Sequence, residues 1–187
     1  MSHPVPAEIT APASHVAESW SIFCSVIDNF GDMGVCWRLA RQLVHEYGFE
    51  VTLWIDDLNA FARFLRMAEW TAESVQREFG VCVRHWNSPW LESTHTNSEI
   101  ASSAVVIEAF ACELPVPVIA AMARQARPPL WINLEYLSAE SWVVGCHLLQ
   151  SMHSVTVEDT HQPGAAPAIV TRSEERRVGK ECLRLCR

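Results

Sequence analysis

Asp28 and Asp32 stand four residues apart in the stretch D-N-F-G-D-M-G, between an apolar run and a segment with helical periodicity. A carboxylate so placed can take a proton from a nucleophile or hold a cationic group. The bland alternative is that both residues order the turn and cap the helix that follows. Gly31 and Gly34, which flank Asp32, allow positive φ or a close approach of a ligand to the backbone. A helix start also offers free N–H groups and the positive end of a dipole. Asn29 and Phe30 complete the turn, and the dinucleotide fingerprint GxGxxG is absent from it. These residues define an acidic site without specifying a substrate.

The elements that must position the site follow from periodicity. Trp20–Asp28 (WSIFCSVID) has the length and apolar content of a strand covered on both faces. Asn29–Gly34 reads as the turn, and Val35–Tyr47 as a helix with Val35, Leu39, Leu43 and Tyr47 on one face and Gly48 closing it. Glu50–Ile55, Val81–Trp86, Ser103–Ala109 and Pro129–Leu134 read as further strands. Leu58–Leu65, a segment around Val116–Gln125 and Ser138–Leu149 read as helices. Strands alternating with helices predict an α/β fold, a Rossmann-like parallel sheet of the doubly wound kind. Ligands of such sheets collect beyond the carboxyl ends of the strands. The Asp28–Asp32 turn, Asp56-Asp57, Glu108–Glu113 and Asn133–Glu135 all fall on that edge.

Several residues there carry two readings. Glu135 either lines a cleft or orders a loop, and Tyr136 either meets the substrate or packs beneath it. Glu108 is either a rim residue or a cleft group. Asp56-Asp57 reads as a cap for the next helix. Trp37, Trp54, Trp86 and Trp131 read as core; His85 and His147 lack metal-ligand spacing and read as structural.

The chain has 187 residues, 49% of them hydrophobic, with eight Trp, which suffices for a sizeable core. No apolar run approaches the roughly 18 residues of a membrane span, and the N-terminus lacks the basic and apolar regions of a signal peptide. Residues 1–18 are Ala/Pro/Ser-rich and read as a flexible tail. Cys24, Cys36, Cys82, Cys112 and Cys146 are dispersed, mostly within apolar runs, as buried thiols of a reducing compartment would be. Cys182 and Cys186 have no second pair to complete a metal site, and the histidines form no ligand motif. Residues 1–170 hold eight Arg, no Lys and 19 Asp or Glu, a net of −11. Residues 171–187 hold six basic and three acidic residues, a net of +3, including Lys180, the sole lysine. An acidic body disfavours broad contact with nucleic-acid phosphates and suits a cationic target. The compositional break reads as a loose tail over 161–187, with 172–187 resembling translated adapter sequence and non-native.

The blocks FCSVIDNFGDMGVCWRLARQL, LWIDDLNAF, IEAFACELP and WINLEYLSAESWVVGCH together resemble the elongation factor P arginine rhamnosyltransferase family, in order, over roughly residues 20–153. The resemblance implies a GT-B architecture, two Rossmann-like domains facing a cleft, with residues 19–160 as the acceptor-binding domain. The family's nucleotide-sugar-binding C-terminal domain, and the aromatic FFPGF-type segment before it, are not visible in the chain. It further implies transfer of rhamnose from TDP-β-L-rhamnose, with inversion, to an arginine of elongation factor P, a cytoplasmic bacterial reaction that supports translation of proline stretches. The family's catalytic aspartate falls on Asp32, as general base, and its supporting aspartate on Asp28. Asn29, Phe30, Gly31, Gly34, Glu108, Glu135 and Tyr136 are the expected substrate contacts. No metal or cofactor is expected, and this stretch by itself is expected to be inactive. The alternatives are another GT-B nucleotide-sugar transferase, or a non-catalytic module that binds elongation factor P.

Overall fold

A computed structural model describes residues 18–26, 30–66, 71, 76, 78–86, 94–136, 145, 149–155 and 168–175. Strands β1 (Ser19–Cys24), β2 (Glu50–Ile55), β3 (Cys82–His85), β4 (Val105–Ala109) and β5 (Leu130–Leu134) alternate with helices α1 (Gly31–Tyr47), α2 (Leu58–Leu65), α3 (Thr94–Ala101) and α4 (Val116–Ala123). The five strands pair in parallel in the order β3-β2-β1-β4-β5. Two more strands extend this sheet. Strand β7 (Ala168–Glu175) runs parallel to β5, and β6 (Gln150–Val155) lies antiparallel to β7 at the edge.

Each central strand sends alternate side chains to two cores. Ile22, Cys24, Leu53, Ile55, Val105 and Ile107 meet Met33, Cys36, Trp37 and Phe61 of α1 and α2. Phe23, Trp54, Val106 and Trp131 face the other way, toward Ile100 of α3 and Val118 and Met122 of α4. Helices on both faces explain why the strands read as apolar runs rather than alternating patterns. Trp37, Trp54, Trp86 and Trp131 are all buried, as expected.

Helix α1 differs from expectation at its start. It begins at Gly31 rather than Val35, so Gly31, Asp32 and Gly34 are its first turn and not a preceding loop. The Gly34 amide donates to the Phe30 carbonyl at 2.9 Å, and both Asp32 and Met33 are buried. Packing of that turn outweighs the modest helix penalty of two glycines. The other end is as read: Gly48 takes the left-handed conformation at φ 70°, and its amide and that of Phe49 close on the last carbonyls.

The tail expected over 161–187 is in part structured, since residues 168–175 form β7. Residues 168–171 (AIVT) are rich in β-branched types. The charged residues that follow have no apolar pattern, but ladder hydrogen bonds come from the backbone and need none. Arg172 also finds a buried counter-charge, donating from Nη1 to Glu108 Oε2 at 3.2 Å. Helix α3 and strand β6 carry no strong period and were not expected. The helix expected at Ser138–Leu149 lies largely outside the described residues.

Candidate active site

The chain runs from β1 outward through β2 to β3, then returns to β4 and β5 on the other side. The order reverses between β1 and β4, and the connections that leave these two paired strands go to opposite faces of the sheet, the place where such sheets usually have their ligand crevice. Asp32 lies just beyond β1 and is 4% exposed. The cap position of α1 falls to Phe30, which has no polar side chain with which to cap. Asp32 is therefore not the capping residue of α1 but lies within its first turn.

Tyr136, two residues beyond β5, donates its hydroxyl to Asp32 Oδ2 at 2.9 Å. Two candidates separated by 104 positions thus meet. The Tyr136 ring stacks on Phe110 at 4.4 Å between centroids and is 54% exposed. The result is a buried carboxylate with an aromatic face at its mouth. Such a pairing suits a planar cation, which gains both charge-assisted hydrogen bonds and attraction to a ring face.

Other candidates take different places. Phe30 is half exposed, and its ring approaches Phe64 at 6.0 Å. Neither Gly31 nor Gly34 has positive φ. A Cβ at Gly34 would meet the Phe64 ring at 3.6 Å, an ordinary contact, so the packing of α2 does not require glycine there. Glu135 Oε1 accepts from Asn133 Nδ2 at 2.8 Å, the loop-ordering role. Glu108 is not at the rim: it is 1% exposed and accepts from the Glu113 amide at 3.0 Å, the Trp131 indole at 3.1 Å and Arg172. Asp28 and Asn29 lie outside the described residues.

Asp56 and Asp57 separate in function. Asp57 caps α2, accepting from the Ala60 amide at 2.9 Å. Asp56 instead takes the Ser25 hydroxyl and, at 2.8 Å, the Val26 amide, tying down the chain as it leaves β1. The Asp56 carbonyl in turn faces His85 Nε2 at 2.8 Å, a structural place for that histidine.

Sequence reasoning missed Phe110. It has positive φ of 57°, as do Ala111 at 53° and Glu113 at 56°, although none is glycine. No glycine or Asn-Gly signal marks F-A-C-E as a left-handed turn, so only the fold reveals it.

Two thiols beside the site are held in the protonated form. A hydrogen bond with Cys24, together with burial, holds the Cys36 thiol protonated well above its ordinary range. Burial, and then the charge of Glu108, does the same for Cys112. Among the described residues, no group of three His, Cys, Asp or Glu side chains is placed to hold a metal ion. No described helix is long and apolar enough to cross a membrane.

A Rossmann-like domain with an acidic, aromatic-flanked site at its switch point is the class that fold and geometry define. Residues 20–165 match the family described as elongation factor P (EF-P) rhamnosyltransferase EarP, and the chain belongs to that family. It is 56% identical over 133 residues to a protein-arginine rhamnosyltransferase of Pseudomonas putida, covering 71% of this chain and 33% of the relative. Similar proteins of the same name occur in Pseudomonas aeruginosa, 53% identical over 136 residues, and Shewanella oneidensis, 48% identical over 142 residues. Those alignments cover 73% of this chain and 34% of each relative. The chain thus spans about a third of the length of the curated relatives it matches.

Proposed function

We propose that this domain is the acceptor-side half of a GT-B protein-arginine rhamnosyltransferase, which moves rhamnose from TDP-β-L-rhamnose to an arginine of elongation factor P with inversion. Its cellular role would be to support translation of proline stretches in the bacterial cytoplasm. One observation carries the reading. A buried carboxylate, Asp32, stands at the switch point with one oxygen held by Tyr136.

A guanidinium is a poor nucleophile, because its lone pairs are delocalised and it stays protonated far above neutral pH. Asp32 supplies what it lacks. Its oxygens accept from the planar N–H fork and aim one nitrogen at the anomeric carbon of the sugar. As the new C–N bond forms, the C–O bond to the nucleotide diphosphate breaks on the opposite face. The nitrogen gives its surplus proton to Asp32, and the diphosphate leaves with the bonding electron pair. Tyr136 holds Oδ2, which fixes the carboxylate rotamer and presents the other oxygen to the acceptor. Asp28, four residues earlier in the same motif, is the supporting carboxylate. The acidic body, net −11 over residues 1–170, draws in a cationic target.

The test is Asp32→Asn in the whole enzyme, followed by the gain in mass of elongation factor P with time. Asn keeps the size and loses the basic site, so transfer should fall about 10²- to 10⁴-fold, the usual share of general-base catalysis. Near-normal transfer would remove Asp32 from the reaction. Tight binding of elongation factor P without any mass gain, in the unmodified whole protein, would favour a binding module instead.

A further inference from the structure

Glu108 is buried, and Phe110 is half buried against Tyr136. We propose that they are positioning residues, which set Tyr136 against Asp32 through the turn Phe110–Glu113. That this setting matters for transfer rests on Asp32 being the base.

The turn is held in a conformation its residues do not favour. Phe110, Ala111 and Glu113 all lie in the left-handed region, where a non-glycine side chain crowds the backbone. Such a turn persists only where its surroundings over-determine it, and left-handed residues of this kind gather at functional sites. The surroundings here are identifiable. Glu108 Oε1 accepts from the Glu113 amide at 3.0 Å and pins the far end of the turn. Its other oxygen is fixed by the Trp131 indole at 3.1 Å and by Arg172 at 3.2 Å. At the near end, the Phe110 amide donates to the Leu134 carbonyl at 2.7 Å, joining the turn to the end of β5. The Cys112 thiol reaches the Phe23 carbonyl at 3.5 Å, joining it to β1. The turn therefore ties together β1, β4 and β5, the strands that bound the crevice. Its product is a fixed Phe110 ring, 4.4 Å from that of Tyr136, whose hydroxyl meets Asp32.

The chain has two tyrosines, Tyr47 and Tyr136, which makes the device observable without any activity. Tyr47 stacks on Phe49 just beyond the far end of α1 and serves as an internal control. In the chain labelled with 3-fluorotyrosine, two fluorine resonances are expected. Phe110→Leu removes the ring current and should move the Tyr136 signal alone. Glu108→Gln keeps size but replaces one accepting oxygen with a donor, so it should also move the Tyr136 signal and leave that of Tyr47 in place. An unmoved Tyr136 signal in Phe110→Leu would overturn the stack. An unmoved signal in a folded Glu108→Gln protein would overturn the role of Glu108. If Glu108→Gln does not fold, Phe110→Leu decides alone, since its side chain is only half buried.

In the whole enzyme, Phe110→Leu should lower kcat by roughly 10- to 100-fold, the scale of a misplaced catalytic group, with KM for the nucleotide sugar unchanged. A residue needed only for stability would lower the melting temperature and leave kcat intact below it. If Asp32→Asn abolishes transfer and Phe110→Leu does not affect it, the positioning proposal fails. If neither variant affects transfer, the reading of Asp32 as base fails as well.

Discussion

Asp32 is made useful by where its neighbours leave it. An isolated carboxylate at a helix start is often a cap, but here the cap position belongs to Phe30, and the oxygen that is held is held by a tyrosine hydroxyl. The same residue-level logic separates two glutamates that look alike in sequence. Glu135 orders its own loop, whereas Glu108 is buried among three donors. The thiol of Cys112 yields a prediction with a definite sign. Its proton affinity is raised in the folded chain by burial and by Glu108, so above its ordinary value of 9.0 the unfolded chain releases a proton that the folded chain keeps. Ionisation then favours unfolding, and stability is lost as pH rises beyond about 9. Replacing the thiol by Cys112→Ala should make the fall in melting temperature between about pH 8.5 and 10.5 shallower than in the unmodified chain. An identical slope in both proteins would show that this thiol is not held protonated by the fold.

At the scale of elements, the ends of strands and helices decide the site, and their caps can be tested separately. Asp57→Ala removes the side-chain cap of α2 and should cost about 1 kcal/mol, within the usual range for such caps. The loss would be read by denaturant unfolding, and an unchanged midpoint would show that α2 is held by packing alone. The turn after β4 should respond the other way. Ala111 is exposed with φ of 53°, so Ala111→Gly relieves crowding without removing a buried contact. Stability should rise by up to about 1 kcal/mol. A loss of stability instead would mean that the left-handed conformation at this position is not strained.

At the scale of the molecule, the sheet reaches beyond the five parallel strands β1–β5. Strand β7 lies between β5 and β6, and Arg172 both pairs with Glu108 and lies over the Trp131 ring at 5.5 Å. Deleting residues 172–187 would remove the half of β7 that pairs with β5 and take one charged donor from a buried carboxylate. The expected loss is about 1–3 kcal/mol, the scale of a hydrogen bond to a charged group. In a chain of this size that lowers the melting temperature by several degrees. An unchanged melting temperature would show that β1–β5 and their helices are stable without the added edge. It would also fit the sharp change of composition near residue 171.

The sequence by itself determined the five strands of the central sheet and helices α1, α2 and α4, because these obey local rules, whereas α3 carries no strong period. Glu50–Ile55 and Leu58–Leu65 could be bounded to the residue from apolar period and flanking aspartates. Gly48 could be recognised as a helix end because glycine tolerates the left-handed conformation found there. The acidic character of the first turn was legible too, since carboxylate spacing is a property of the chain. What needed the tertiary structure was everything set by contact between distant segments. The start of α1 moved into the glycine-containing stretch because Met33 is buried there, a gain that helix propensity does not encode. Strands β6 and β7 were missed because their pairing is made by backbone groups, which every residue carries whatever its type. Asp56 and Asp57 are neighbours of one type, yet one caps a helix and the other clamps the end of β1. Tyr136 could be named from sequence, but its partner could not: only the parallel alignment of β1, β4 and β5 brings a residue beyond β5 to the first turn of α1, because the strands end along one edge and the chain crosses it at each of them.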